Sequence, residues 1–383
     1  MKKKKIAILT QPLGKNYGGI IQNYALQQVL KNIGHDPVTI NRHKNKEYSD
    51  LKIFLYDLKM KKNRAFKNSN AFYQNLTSKE RLQIYDNNFI FITKYLTITK
   101  KLDTNQKFYQ FFTENKYDAI IVGSDQTWRP EYSPNIDNYF LDFYENYPQN
   151  KIIKIAYASS FGTAEWEFSN SQTQRAKILV KQFDAISVRE DSGIHLCSEY
   201  LDVNAEETLD PTMLLTKEEY RKLYSNLHSE ERSGIFTYVL DQSAEKKMII
   251  KEISSKLKLD IFHNQPKSSS LISKKDIAEI AYPTLELWLK AFDDADFVIT
   301  DSFHGTVFSI LFNKPFIAIA NINRGASRFT SLLKKLGLES RLIFGADELD
   351  DALIQDKIDY EKVNLKLEML RNESLDFLNK NLS

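Results

Sequence analysis

The chain has 383 residues, of which 42% are hydrophobic and 27% are charged, a composition typical of a globular protein long enough to form two domains. Its 53 basic and 50 acidic side chains nearly cancel to a formal charge of +3, which excludes the strong positive field of a nucleic-acid-binding protein. The single cysteine, Cys197, excludes an internal disulfide framework and a cysteine-based metal cluster, and the spacing of the histidines indicates no metal site. We therefore expect a protein of the reducing cytoplasm, with no metal and no nucleic-acid partner.

The N-terminal lysines precede a short apolar stretch that ends at Thr10-Gln11-Pro12. This stretch is too short for the core of a signal peptide, and no later segment reaches the roughly 20 apolar residues that cross a bilayer. A first strand with a lysine-rich start is the simpler interpretation. We expect the protein to stay inside the cell.

A strand, a helix and a second strand follow one another at the start of the chain. Apolar runs predict strands at 5–10 and 37–40, and apolar residues at helical spacing predict a helix at 20–33. The first loop allows a ligand to approach the backbone through three glycines, Gly14, Gly18 and Gly19. Their spacing does not fit a dinucleotide site, Asn41 stands where the ribose-binding acid belongs, and no Gly-Lys-Ser/Thr follows. A nicotinamide cofactor and a P-loop are therefore excluded.

The segment 43–115 is rich in lysine and aromatic residues, contains no glycine, and is predicted to be a helical insertion. It includes an apolar stripe of Leu51, Phe54, Leu55 and Leu58, flanked by Lys52, Lys59, Lys61, Lys62 and Arg64. Such a helix either lies on an anionic membrane surface or covers a domain with its lysines in water. The sequence leaves both interpretations open. We therefore expect the protein either free in the cytoplasm or at the inner face of the plasma membrane.

Polar residues follow three further strands predicted in the first half of the chain, at 117–122, 152–159 and 183–188. They are Ser124, Asp125, Gln126 and Trp128 after the first strand, Ser160 after the second and Arg189 after the third. Because the carboxyl ends of parallel strands meet at one edge of a sheet, we expect these residues on one rim. Carboxylate, amide and aromatic groups together suit a sugar. The alternative is a turn closed by the Asp side chain over a packed Trp.

A crossing to a second domain is predicted around 203–212, after which strands and helices alternate again. We expect a first domain at 1–205, a second at 206–345 and a charged helical tail at 346–383. The tail is expected to pack back across the first domain.

The stretch 296–320 is predicted to form a strand, a tight turn, a buried helix and a strand. Asp301 and Ser302 are capping residues, and His304 lies at the helix start, where free N–H groups attract an anion. A histidine placed there can transfer protons beside a bound phosphate. Two arginines follow the last strand at the same level, Arg324 and Arg328. The alternative is that Asp301 or Ser302 merely caps the helix and His304 is a packed or exposed turn residue.

Six sequence motifs occur in order between about residues 5 and 338: KNYGGIIQNYAL, DAIIVGSDQTW, IAYASSFG, SVRE, LDPTMLL and TDSFHGT. With these motifs the chain resembles the polysaccharide pyruvyl transferase family. The resemblance implies an α/β protein with two Rossmann-like domains facing a cleft, as in the GT-B fold. It also implies transfer of pyruvate from phosphoenolpyruvate onto two hydroxyls of one sugar, in a bacterial surface or capsular polysaccharide precursor.

Members of the family commonly carry Arg-x-His-Gly, whereas this chain keeps His304-Gly305 but has Ser302 in place of the arginine. We assign the acid–base candidates as His304, Asp125 and Asp301. Phosphoenolpyruvate is expected at Arg189, Ser302, Gly305, Thr306, Arg324 and Arg328. The acceptor is expected at Asn16, Tyr17, Gly18, Gly19, Ser124, Gln126, Trp128 and Ser160. Phosphoenolpyruvate is a co-substrate, no cofactor is expected, and the acceptor glycan is linked to a polyprenyl diphosphate or to a nucleotide.

Two other functions are compatible with the same residues. A glycosyltransferase with a nucleotide-sugar donor shares the two-domain cleft and the phosphate site at a helix start. A non-catalytic glycan-binding protein is favoured in part by the serine at position 302.

Overall fold

The computed structural model describes residues 2–44, 50–66, 76–145, 152–241, 243–266, 277–320 and 325–383. Within these residues the strands form two parallel sheets. The six-stranded sheet contains β1 (Lys5–Leu9), β2 (Asp36–Ile40), β3 (Ala119–Val122), β4 (Ile153–Ser159), β5 (Ala185–Val188) and β6 (Glu206–Glu207). The five-stranded sheet contains β7 (Ile235–Tyr238), β8 (Ile261–His263), β9 (Phe297–Thr300), β10 (Phe316–Ile319) and β11 (Leu342–Ile343). We call the parts that carry these sheets the first and second lobes.

Helices connect the strands and cover the sheets. In the first lobe they are α1 (Tyr17–Asn32), α2 (Asp50–Phe66), α3 (Ser78–Gln83), α4 (Asp86–Tyr95), α5 (Asn105–Glu114), α6 (Asn170–Leu179) and α7 (Asp191–Leu196). Further along the chain they are α8 (Lys217–Tyr224), α9 (Ala244–Leu257), α10 (Leu285–Asp294), α11 (Phe303–Leu311), α12 (Ser327–Leu336), α13 (Asp351–Gln355) and α14 (Tyr360–Asn381). The predicted helical insertion therefore corresponds to α2 through α5.

The two sheets share one strand order. The first sheet runs β2-β1-β3-β4-β5-β6 and the second runs β8-β7-β9-β10-β11. In each sheet the order reverses once, between β1 and β3 and between β7 and β9. Ligands of doubly wound sheets bind beyond the carboxyl ends of the strands at such a reversal, which gives each lobe one crevice suited to a ligand.

Alternating residues of the strands face opposite sides of the sheets. In β1, Ile6 and Ile8 belong to an apolar cluster that also contains Val298 of β9, whereas Ala7 and Leu9 belong to a separate cluster behind the first sheet. The cluster that contains Ile6 therefore joins the two lobes. Alternate residues of β1 fall into different clusters because successive side chains of a strand point to opposite faces of the sheet.

The C-terminal helix α14 packs on the first lobe, as the sequence predicts. The ring of Phe377 lies 6.1 Å from the ring of Tyr157 on β4, centroid to centroid, and the Lys4 side chain donates to the Leu382 carbonyl at 2.6 Å. The Ser374 hydroxyl accepts a hydrogen bond from the amide of Leu209, in the segment that crosses between the lobes, at 3.0 Å. At the start of α14, the Tyr360 hydroxyl donates to the Lys314 carbonyl of the second lobe at 2.5 Å. The helix thus contacts both lobes. Among the described helices, none combines the length and apolarity needed to cross a membrane.

The predicted elements need correction at two short strands and at one helix start. The strands β6 and β11 are missing from the predicted elements because each has two residues, too few for an alternation to be visible. The sequence favours Ser327 as the cap of the helix that follows it, whereas Ser327 is the first residue of α12 and the cap position is Ala326, without a side-chain cap bond.

Truncation of Leu378 on α14 should destabilise the protein strongly. Its side chain is fully buried, so Leu378→Ala leaves a cavity and should lower the free energy of unfolding by about 2–5 kcal/mol. Leu365→Ala on the same helix is the matched control, because Leu365 is 61% exposed, and it should change stability by less than about 0.5 kcal/mol. Urea unfolding followed by tryptophan fluorescence measures both, and equal losses would contradict the packing of α14.

Candidate active site

The N-terminus of α1 and the N-terminus of α11 meet where the lobes face each other. A Cβ atom added to Gly18 would lie 2.1 Å from Nδ1 of His304, so the imidazole rests against the glycine backbone. The Asn16 side chain caps α1 by accepting from the Gly18 amide at 3.0 Å. A second close approach joins the lobes, because a Cβ on Gly325 would lie 1.6 Å from the carbonyl oxygen of Gly162. Only glycine fits at either point.

The Asp210 carboxylate lies between the lobes beside His304. One oxygen accepts from the amide and hydroxyl of Thr212 at 3.0 and 2.7 Å, and the other accepts from Ser124 at 3.0 Å and Arg189 at 2.8 Å. Nε2 of His304 lies 3.6 Å from that second oxygen, too far for a good hydrogen bond but close enough for charge attraction. Burial raises the pKa of Asp210, but His304 and Arg189 more than reverse this effect and hold the pKa well below the usual carboxyl range.

The buried guanidinium of Arg189 is surrounded by acidic groups. Besides Asp210, it faces Asp125, with 3.8 Å from Nη2 to Oδ1, and Glu190, with 4.0 Å from Nε to Oε2. Nε and Nη2 have no hydrogen-bond partner among the residues that the structure describes. Burial lowers the pKa of Arg189, but the three carboxyl groups raise it further, so the side chain stays charged. A buried cation with two unused donors is suited to bind an oxyanion.

The aromatic ring of Phe303 lies next to two arginines and the histidine of the site. Arg189 lies over the ring at 4.6 Å from its centroid, and Arg328 lies at 5.8 Å. The His304 ring meets Phe303 edge to face, at 5.3 Å between centroids. Burial and repulsion from Arg189 lower the pKa of Arg328 to about 10. At neutral pH both arginines are charged, and both lie within 6 Å of the centroid of one ring.

A cleft of about 280 Å³ lies beside this cationic cluster, at the crevice between β1 and β3. It is lined by Gln11, Pro12, Leu13, Asn16, Gly19, Asp125, Gln126 and Tyr132. Asp125 connects the cleft to the cluster, because it lines the former and lies 3.8 Å from Arg189. Tyr132 is 41% exposed and presents an aromatic face, with Arg129 at 4.5 Å from its ring centroid.

Many of the predicted site residues come together in this region. They are His304, Arg189, Arg328 and Ser124 around the cluster, Asn16, Gly19, Asp125 and Gln126 along the cleft, and Gly18 between the two. Ser302 accepts from the Gly305 amide at 3.4 Å as the cap of α11. Arg324 lies outside the described residues.

Three predictions at the start of α11 need correction. The buried Asp301 carboxylate accepts from the amides of Leu240 and Asp241 at 2.7 and 3.0 Å and pairs with Lys246 at 2.5 Å. It therefore ties the β7 and β9 ends together and is not available as an acid or base. Gly305 is needed for close packing, since a Cβ there would lie 2.1 Å from the Thr300 hydroxyl. The Thr306 hydroxyl is buried and donates back to the Ser302 carbonyl at 3.3 Å.

Three predicted acceptor residues are also buried in structural roles. Trp128 is fully buried and stacks on Phe140 at 5.0 Å between centroids, which is the packed alternative that the sequence left open. The Tyr17 hydroxyl donates to the Pro283 carbonyl, linking α1 to the second lobe. The Ser160 hydroxyl donates to Glu190 at 2.8 Å. The aromatic residue that lines the cleft is Tyr132, which the sequence analysis missed.

Asp210 and Phe303 were also missed as site residues. Both stand inside motifs that carry the family resemblance, LDPTMLL and TDSFHGT, and this position was the available signal. Their roles depend on contacts with Arg189 across the lobes, which local sequence does not reveal.

Comparisons with known proteins agree with this architecture. A family model described as polysaccharide pyruvyl transferase matches residues 16–323. No curated protein matches the sequence. Among solved structures, UGT89C1 of Arabidopsis thaliana complexed with UDP-L-rhamnose is similar, with a TM-score of 0.52 and 10% identity over 99% of this chain and 98% of that one. The S. aureus MnaA-UDP co-structure has a TM-score of 0.52 and 13% identity over 95% of this chain and 90% of that one. These likenesses show a GT-B type of α/β fold with two domains.

Substitution of Gly18 tests the contact between the lobes. In Gly18→Ala the new methyl group collides with the His304 ring, and the overpacking should cost about 1–3 kcal/mol of stability. Gly19→Ala adds the same methyl group one residue later, where its nearest neighbour is Asp125 Oδ2 at 3.5 Å, an ordinary contact. Thermal unfolding should therefore show a lower midpoint for the first variant than for the second. Equal midpoints would mean that the lobes do not meet at this glycine.

Neutralisation of Asp210 should lower the free energy of unfolding, because it leaves the buried charge of Arg189 without its closest partner. Asp210→Asn removes the closest counter-charge of Arg189 and should destabilise the protein by about 3–5 kcal/mol. Because the native pKa of Asp210 is depressed, the loss should be present from neutral pH down to about pH 4 and shrink only in stronger acid. Asp103→Asn breaks the exposed pair with Lys107 and should cost less than about 1 kcal/mol. Urea unfolding at several pH values measures both, and similar small losses would contradict a buried charge pair.

Proposed function

The chain belongs to the polysaccharide pyruvyl transferase family, and on that premise we propose that it transfers pyruvate from phosphoenolpyruvate onto two hydroxyls of one sugar, forming a cyclic ketal. The observation that supports this most is the convergence of Arg189 from the first lobe with Arg328 and His304 from the second around Phe303. A small anion with two charged ends suits such a cluster. We place the reaction in the cytoplasm, on a glycan precursor of a bacterial surface or capsular polysaccharide.

Phosphoenolpyruvate carries a carboxylate and a phosphate, and each needs its own donors. Arg189 offers Nε and Nη2, which make no hydrogen bond within the described part of the chain. Arg328 lies 5.8 Å from the centroid of the same ring, and the N-terminus of α11 adds partial positive charge. Each charge-assisted hydrogen bond contributes about 1.5–3 kcal/mol. In our proposal these groups take over the role of the family arginine that Ser302 replaces.

Ketal formation requires three proton transfers, one to C3 and one from each sugar hydroxyl. Protonation of C3 turns the methylene into a methyl group and makes C2 electrophilic, and the first sugar hydroxyl then adds to C2 as it loses its proton. The C2–O bond to phosphate breaks, the second hydroxyl adds to C2, and its proton leaves on the phosphate, so that all atoms and charges balance. We assign both the proton donation to C3 and the acceptance from the first hydroxyl to His304, with Asp210 beside it to stabilise the imidazolium.

The sugar acceptor is proposed to lie in the cleft between β1 and β3. Asp125 lies between the cleft and Arg189, so a hydroxyl bound to its carboxylate would approach the anion held by the arginines. Gln126 and Asn16 supply amide groups for further hydroxyls, and Tyr132 supplies a flat apolar face. In our proposal the glycan precursor is linked to a polyprenyl diphosphate or to a nucleotide.

Release of phosphate from phosphoenolpyruvate in the presence of a glycan acceptor tests the reaction. His304→Ala should reduce this rate roughly 10²–10⁴-fold, because it removes the proton-transfer group. His228→Ala is the matched control, since that histidine is exposed on the second lobe, and its rate should equal the wild-type rate. A folded His304→Ala variant with normal turnover would remove the histidine from the mechanism.

The same assay separates the two other functions. A glycosyltransferase would leave phosphoenolpyruvate intact and consume a nucleotide sugar, and a glycan-binding protein would consume neither. Either result, with an acceptor that calorimetry shows to bind, would overturn the proposed reaction.

A further inference from the structure

The helix α2 presents its apolar stripe to solvent. Phe54, Leu55 and Leu58 are 59%, 55% and 47% exposed, whereas Tyr56 and Met60 on the opposite face are half-buried. At 100° per residue the three exposed side chains lie within one third of the helix circumference. These three residues of the predicted stripe therefore do not cover the first lobe, and the side chain of the fourth, Leu51, lies outside the described residues.

Contacts with α3 fix this orientation. The Asp57 side chain accepts from the Ser78 amide at 2.8 Å, and Tyr56 donates to the Leu76 carbonyl at 3.5 Å. Arg81 of α3 lies 5.8 Å from the centroid of the Tyr56 ring. Because these bonds hold the face of Tyr56 and Asp57 against the protein, the face of Phe54 and Leu58 points outward.

Lysines flank the exposed stripe. Lys52, Lys59, Lys61 and Lys62 are all exposed on α2. The whole chain has a formal charge of only +3, so this helix concentrates positive charge well above the average of the protein. An apolar stripe with a lysine border is complementary to a bilayer that has an acyl interior and an anionic headgroup layer.

Exposed apolar side chains also occur on α4, beside the cleft. Phe89 of α4 is exposed and packs against Gly14, with 3.1 Å from its ring to a Cβ built on that glycine. Leu13, the residue before Gly14, lines the cleft between β1 and β3. Leu82 and Ile90 add further exposed apolar side chains to the same helical segment.

We propose that the outward face of α2 docks on an anionic lipid bilayer, with Phe54, Leu55 and Leu58 at the acyl boundary and the lysines at the phosphate headgroups. A second copy of the chain is a poor occupant, because a two-fold contact through this face would set lysines against lysines. The proposal does not depend on the reaction proposed above, since docking requires no phosphoenolpyruvate.

Vesicle flotation with the full chain tests the docking. The wild-type protein should bind vesicles of phosphatidylcholine mixed with an equal amount of phosphatidylglycerol, and bind vesicles of phosphatidylcholine alone weakly. The variant F54S/L55S/L58S should lose at least tenfold in partitioning, roughly the loss expected from the apolar area removed. The variant K59Q/K61Q/K62Q should lose about 100-fold, at roughly fivefold for each lysine near an anionic surface. Binding should also weaken as salt rises.

The matched control is L365S/M369S, which removes two apolar side chains that are 61% and 65% exposed on α14. It should float with the mixed vesicles as the wild type does, and circular dichroism should show all three variants to be folded. Failure of the wild type to float, or equal flotation of all variants, would overturn the proposal. A dimer in light scattering that F54S/L55S/L58S dissociates would also overturn it, in favour of contact between copies. Phosphate release with a soluble acceptor is measured separately, so failure of docking and failure of the reaction are distinguishable.

Discussion

The buried carboxylate of Asp210 is the interaction on which the site depends. It lies in the segment that crosses between the lobes, accepts hydrogen bonds from Ser124 and Arg189 of the first lobe, and faces His304 of the second. An isolated carboxylate would be costly at this depth, and the surrounding donors make it tolerable. The same contacts fix the guanidinium of Arg189 over Phe303. One acidic residue thereby sets the positions of a cation and an imidazole that come from different sheets.

The two sheets share one strand order, but the two crevices that it creates are not equivalent. Both sheets reverse at corresponding positions, yet Asp301 fills the crevice of the second sheet through its bonds to Leu240, Asp241 and Lys246. The corresponding crevice of the first sheet stays open beside Asp125, whose left-handed backbone, with φ of 75°, turns the chain at the end of β3. The second lobe therefore contributes groups to the shared cluster, whereas the first lobe also supplies the cleft.

The sequence predicts the order of elements well because buried parallel strands and amphipathic helices have clear periods. The predicted strand, buried helix and strand of the stretch 296–320 are β9 (Phe297–Thr300), α11 (Phe303–Leu311) and β10 (Phe316–Ile319). The sequence does not predict which polar residue of a turn faces the ligand. Trp128 and Tyr132 lie in one turn region, but only tertiary packing decides that the first is buried and the second is exposed. Asp301 and Asp210 differ for the same reason, since Asp301 accepts from Leu240, which lies 61 residues away, and Asp210 faces His304 of the second lobe.

The helix α14 limits how the lobes can move. Its 22 residues extend over about 33 Å, with Tyr360 bonded to the second lobe and Phe377 packed against Tyr157 of the first. Gly18 touches His304 and Gly162 touches Gly325, so a guest of more than a few atoms reaches the cluster only when the lobes part. Because α14 contacts both lobes, it opposes their straight separation more than a rotation about the helix axis. A straight separation of the lobes has to break the contacts of α14 with one of them, so the last helix constrains the motion that admits and releases a ligand.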